Sequence, residues 1–221
     1  RIGEVLDEHL KLGGDRFRGI RLLGTNDPHP EIRNGYNDPA ADMFSSNGFR
    51  EGYAELGKRN LTFEGWCFHH QIPLLTDLAR EYPNITMILD HFGGPIGIGP
   101  YADKQDEVFD LWRQNIADLA KCENVVAKLG GINMKVNGFD WHKNSKPPTS
   151  EELCEETRRY YEHTIECFGV ARCMFESNFP VDKITCSYHT LWNSFKRLTE
   201  NYSADEKSQL YHDTAARVYR I

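Results

Sequence analysis

No stretch of the 221-residue chain approaches the roughly 20 consecutive apolar residues a membrane-crossing helix needs. The opening, Arg1 to Asp15, has no apolar core of a secretory signal. An excess of basic charge is missing too. With 33 acidic against 26 basic side chains the formal net charge is −7, which works against nucleic acid, because phosphate binding relies on clustered Lys and Arg. The six cysteines form no C-x-x-C pair and several lie inside apolar runs, so buried reduced thiols are expected rather than a disulfide frame. Internal repeats and flexible linkers are absent, and no early strand carries a dinucleotide fingerprint. Gly93-Gly-Pro-Ile-Gly-Ile-Gly99 runs into Pro100-Tyr101 and is read as a loop near the site, not the start of a helix. These absences predict one soluble domain over residues 1–221 in a reducing cytoplasm. Its partner is a small molecule, with neither nucleic acid nor membrane, and homo-oligomerisation is left open.

What is present is a repeated punctuation. Five apolar, β-branched or aromatic runs, residues 17–22, 61–67, 85–89, 125–129 and 172–175, read as strands. They carry or run out into Arg21, His69-His70, Asp90-His91, Lys128 and Glu176-Ser-Asn178. Between them lie segments with apolar residues at three- and four-residue steps: 4–12, 49–56, 74–82 behind Pro73, and 108–119. Ser150 followed by Glu-Glu-Leu opens another helix with an acidic first turn. Strand alternating with helix signifies βαβ crossovers and a parallel sheet. A barrel is preferred over a doubly wound sheet because polar residues end every strand, and a closed parallel barrel gathers all carboxyl ends on one face. Residues 25–46 and 132–150, rich in Pro, Asn and Asp, read as long irregular loops of the kind that often cover sites.

Six ordered segments resemble the amidohydrolase-2 branch of the amidohydrolase superfamily, in particular its fuconolactonase and 2-pyrone-4,6-dicarboxylate lactonase group. They are Phe17-Arg-Gly-Ile-Arg21, Phe68-His-His-Gln71, Leu89-Asp-His-Phe-Gly-Gly-Pro95, Asn124-Val-Val-Ala-Lys-Leu129, Arg172-Cys-Met-Phe-Glu-Ser-Asn-Phe-Pro180 and Thr214-Ala-Ala-Arg-Val-Tyr219. The resemblance implies a distorted (β/α)8 TIM barrel and hydrolysis at its carboxyl face. A complete barrel has eight strands and about 250 residues. Here five strands are recognisable, the chain opens on Arg1, and the H-x-H segment of the family's first strand is not found. The sequence is therefore expected to match the carboxyl two-thirds of a member.

On this resemblance His69, with His70 as its neighbour and substitute, and His91 are the imidazoles that polarise a scissile carbonyl, directly or as ligands of a divalent metal such as zinc or manganese. Family members commonly end the last strand with G-S-D-W-P. This chain has Glu176-Ser-Asn-Phe-Pro180, and the Asn178 carboxamide cannot accept a proton. Glu176, expected on the same strand face two residues away, Asp182 just beyond, and a His of the H-x-H segment not found here are the alternatives for the base. Arg21 is a candidate for holding a substrate carboxylate, with a strand-tying salt bridge as the plain alternative. Lys128 carries the same two readings. Trp66 is either pocket wall or packing. The reading is a metal-dependent hydrolase of a small carboxylated lactone or related cyclic ester or amide. A decarboxylase of the same family and a catalytically silent binding protein are the alternatives.

Overall fold

The computed structural model describes residues 1–36 and 38–221. Helix α1 (Ile2–Gly13) leads into strand β1 (Gly19–Leu23), and α2 (Asn47–Gly57) into β2 (Thr62–Trp66). Helix α3 (Ile72–Glu81) precedes β3 (Met87–Leu89), α4 (Gln105–Leu119) precedes β4 (Val125–Leu129), and α5 (Ser150–Phe168) precedes β5 (Cys173–Phe175). Helices α6 (Tyr188–Leu198), α7 (Ala204–Ser208) and α8 (Thr214–Tyr219) close the chain. All strands pair in parallel with their sequence neighbours, in the order β1-β2-β3-β4-β5. A doubly wound sheet must reverse at a switch point, whereas an unbroken sequential order is how a (β/α) barrel is wound. The fold is that of a TIM barrel, with β1 and β5 left unpaired to each other among the described residues.

Alternation along the strands decides what each face buries. Phe63, Met87, Leu89, Val125, Ala127, Leu129, Cys173 and Phe175 point outward into the large core shared with the helices, among them Trp112 and Phe195. The intervening residues face inward. Ile88, Val126 and Met174 meet Val218 of α8 in a small apolar plug. One step along the same inward rows stand charges: register pairs Arg21 with Glu64 and Glu64 with Ile88, and Lys128 lies two residues beyond Val126. The period that builds the core thus also stacks a charged layer upon the apolar one.

Several element ends differ from the pattern reading. Strand β3 starts at Met87 because Ile85 is still held by its N–H to Tyr82 in the turn at Pro83. The cap of α5 is Thr149, not Ser150: Thr149 Oγ1 accepts the N–H of Glu152 at 3.2 Å, and Glu152 accepts that of Thr149 at 2.7 Å, a reciprocal capping box. Among the described residues no helix is long and apolar enough to cross a membrane.

Candidate functional site

Arg21, Glu64 and Lys128 project from β1, β2 and β4 into the interior. Lys128 Nζ lies 2.9 Å from Glu64 Oε2, 3.3 Å from Asp90 Oδ1 and 3.6 Å from Glu176 Oε2. Burial works against its charge, yet Asp90, Glu176 and Glu64 outweigh that penalty and hold its pKa above the usual lysine range. Tyr219 donates its hydroxyl to the other oxygen of Glu64. Arg21 completes the layer: its Nε stands 2.9 Å from Asp90 Oδ2, and a terminal nitrogen 2.8 Å from His91 Nε2. Its side chain keeps 42% exposure, whereas Asp90 has none. A cavity of about 510 Å³ reaches the β1 side of this layer, bordered by Arg21, Glu64, Tyr219 and Phe17.

His91 sits where β3 breaks off. It and Phe92 take the left-handed conformation (φ 50° and 60°), costly for residues with a Cβ. The break is held from behind, as the Trp112 indole N–H donates to the Phe92 carbonyl at 2.6 Å. The turn swings the imidazole toward β5, and His91 Nδ1 comes 2.5 Å from Glu176 Oε1. Gly131 makes room: a Cβ there would lie 2.5 Å from His91 Nδ1. Burial lowers the His91 pKa, but Glu176 and Asp90 overcome it and the net direction is upward. For Glu176 burial pushes up, and His91, Lys128 and Arg21 bring the pKa below the usual carboxylate range. Asp90 is raised, since its burial outweighs Lys128, His91 and Arg21. Trp66, the last residue of β2, meets the His91 ring edge-on at 5.6 Å.

His69 and His70 lie elsewhere. Strand β2 ends at Trp66 and the chain enters a 3-10 turn, His69–Gln71, so strand alternation does not apply to them. The His69 Nδ1 accepts the Ile96 N–H at 3.4 Å, and its ring packs edge-on against Tyr101. His70 Nε2 lies 3.0 Å from the Asn26 carbonyl and 3.9 Å from Asp27, whose other neighbour is the Tyr101 hydroxyl at 2.8 Å. Gln71 pins the same loop, accepting the Asn26 N–H at 3.0 Å and donating to the Gly24 carbonyl at 3.1 Å. This second polar group fastens the irregular segment after β1 to the barrel rim. Burial and His70 push the His69 pKa down to about 4, so the ring is neutral at pH 7.

The expected shared strand face of Glu176 and Asn178 is not found. Strand β5 ends at Phe175, and Asn178 is left-handed (φ 51°), a conformation asparagine tolerates. The Asn178 amide turns instead to Asp182, whose Oδ1 accepts from it at 2.9 Å.

Donor atoms of Asp90, His91 and Glu176 lie within 4.8 Å of one another. Both Asp90 oxygens, His91 Nδ1 and Glu176 Oε1 are buried without a directional hydrogen bond among the described residues. One imidazole and two carboxylates gathered this closely are donor types that fit a divalent ion. Among the described residues His69 is outside this group and lies in the turn after Trp66. Sequence reasoning passed over Glu64 and Tyr219 and gave Asp90 only a supporting part. The signal for Glu64 was its charge in the middle of an apolar strand.

Residues 4–221 match the family described as Amidohydrolase. The chain belongs to the amidohydrolase family. It is 36% identical over its full length to the uncharacterized protein y4mH of Sinorhizobium fredii, covering 66% of that protein. It is 28% identical over 78% of its length to an L-fucono-1,5-lactonase of Burkholderia multivorans, covering 56% of it. The chain thus spans 56 to 66% of the length of these curated relatives. Among solved structures, a zinc-bound amidohydrolase of Burkholderia multivorans superposes on all of this chain with a TM-score of 0.80, at 22% identity, with 71% of that chain covered. The amidohydrolase fold accounts for the sequential parallel order of β1 to β5.

Proposed function

We propose that the protein is a hydrolase that opens a small lactone, or a related cyclic ester or amide, bearing an anionic group. The observation that carries this reading is the position of Arg21, a part-exposed guanidinium 2.8 Å from the candidate imidazole His91 and 2.9 Å from Asp90. A substrate carboxylate that engages this planar fork brings its ring beside His91 and Glu176. Likeness to a lactonase-named relative supports the reaction class.

In this reading Asp90, His91 and Glu176 would hold a divalent ion, zinc or manganese. Such an ion supplies Lewis acidity toward the scissile carbonyl and eases ionisation of water. The chain's own groups do the rest. Lys128 offsets the carboxylates of Glu64, Asp90 and Glu176, keeping them close in a buried layer. Arg21 orients the anionic substrate, and Trp66 walls the imidazole.

Full-length protein purified without chelator should contain about one equivalent of metal, lost in His91→Asn. It should open 2-pyrone-4,6-dicarboxylate or L-fucono-1,5-lactone in an absorbance or acid-release assay. Arg21→Lys should raise KM for the carboxylated ring by about ten-fold and leave the neutral lactone nearly unaffected. Release of carbon dioxide without ring opening would replace the hydrolase with a decarboxylase, and binding without any product would leave a silent binder.

A further inference from the structure

Asn178 and Asp182 are tied twice. The Asp182 N–H donates to the Asn178 carbonyl at 3.2 Å, and the Asn178 side-chain Nδ2 donates to Asp182 Oδ1 at 2.9 Å. Asp182 lies on the 3-10 turn Val181–Ile184, wholly shielded from solvent, and its Oδ2 has no hydrogen-bond partner among the described residues. A primary amide has two unlike ends exchanged by rotation about one bond. The Asp182 oxygen facing it accepts, and does so whether or not the second oxygen carries a proton. The NH2 end of Asn178 is therefore drawn to Asp182 and the carbonyl end turned the opposite way. That Oδ1 makes no hydrogen bond among the described residues. The buried carboxyl, one turn beyond the strand end, thus selects which end of the amide the chain leaves free.

We propose that Asp182 is a positioning residue, which holds Asn178 so that its Oδ1 is turned away from the carboxyl and presented as an acceptor for an O–H group of water or ligand. The amide accepts that hydrogen bond and does not take the proton, so the pair aims the O–H rather than ionising it. The identity of the O–H group rests on the hydrolase reading above; the amide orientation does not.

The test uses 15N-labelled full-length protein, with the Asn178 side-chain NH2 signals assigned by their loss in Asn178→Asp. In the wild type the signals should be displaced from the free-amide position and slow to exchange. In Asp182→Asn, where residue 182 can offer either a donor or an acceptor, they should move toward the free-amide position. With 2-pyrone-4,6-dicarboxylate as probe, Asp182→Asn should lower kcat by at least about ten-fold with KM little changed. The exchanged pair Asn178→Asp with Asp182→Asn, which restores one carboxylate and one amide, should recover most of the loss. A purely structural role would lower the melting temperature of Asp182→Asn and leave kcat of the folded enzyme intact, which overturns the proposal. Unchanged Asn178 signals in Asp182→Asn overturn it whether or not any lactone is opened. Shifted signals with no lactone opened by the wild type support the orientation and count against the lactonase reading alone.

Discussion

His91 Nδ1 stands 2.5 Å from Glu176 Oε1, and the contact depends on a residue that lies against the imidazole only by lacking a side chain. Gly131 is at φ +79°, and a Cβ there would lie 2.5 Å from His91 Nδ1 and 2.7 Å from Cγ. Its neighbour Gly130 likewise leaves room for the Glu176 backbone, 2.2 Å from where its Cβ would be. Two glycines in sequence let β4 and β5 bring the imidazole and the carboxylate together. Gly131→Ala should cost about 1–3 kcal/mol from the left-handed backbone alone, read as a lower midpoint in urea. It should also displace His91 and weaken metal uptake. Stability and metal content equal to wild type would show that the ring does not need this space.

Lys128 faces three carboxylates from three different segments, Glu64, Asp90 and Glu176, all within 3.6 Å. Removing one member of a buried ionic group leaves charge uncompensated, at a cost of about 3–5 kcal/mol. Lys128→Met should therefore destabilise by that order in denaturant titration. Adding Glu64→Gln to it should restore part of the loss, because one of the repelling carboxylates is then neutral. Additive effects of the two substitutions would place the Lys128–Glu64 contact among those without energetic weight.

Much of this was legible from periodicity and from charge breaking it. The five strands, the helices between them and the parallel barrel winding follow from apolar spacing, and Arg21, His91, Lys128 and Glu176 were visible as polar residues ending or interrupting apolar runs. What failed was extrapolating strand geometry past the strand. Glu176 and Asn178 were given one face by alternation, but β5 stops at Phe175 and a left-handed residue redirects the Asn178 side chain; β2 likewise stops at Trp66, and His69 and His70 lie in a 3-10 turn. Backbone turns of this kind are fixed by tertiary contacts such as Trp112 to the Phe92 carbonyl, which no local pattern announces. Glu64 was missed for another reason: its charge inside an apolar strand was the one local signal, and its partners appear only with the register opposite Arg21 and the contact with Lys128.

His69 and Asp182 pull the pH dependence of stability in opposite directions. Burial and His70 take the His69 pKa from 6.5 to about 4, so between those values the unfolded chain binds a proton that the folded chain refuses. Its contribution is fully present above pH 6.5 and is lost as pH falls toward 4. Burial takes Asp182 from 3.8 to about 7, against the pull of the Asn178 hydrogen bond and of His91. Here the folded chain holds the extra proton, and stability is lost as pH rises from 3.8 through 7. At about 1.4 kcal/mol per unit each effect is on the order of a few kcal/mol, and the two oppose each other between pH 4 and 6.5. Single substitutions should unmask them. Relative to wild type, His69→Gln should gain stability as pH falls through that window, and Asp182→Asn should gain it as pH rises toward 7. Urea midpoints at half-unit steps from pH 4 to 8 measure both, and difference curves that are flat for either variant would show that its group titrates alike in the folded and unfolded chain.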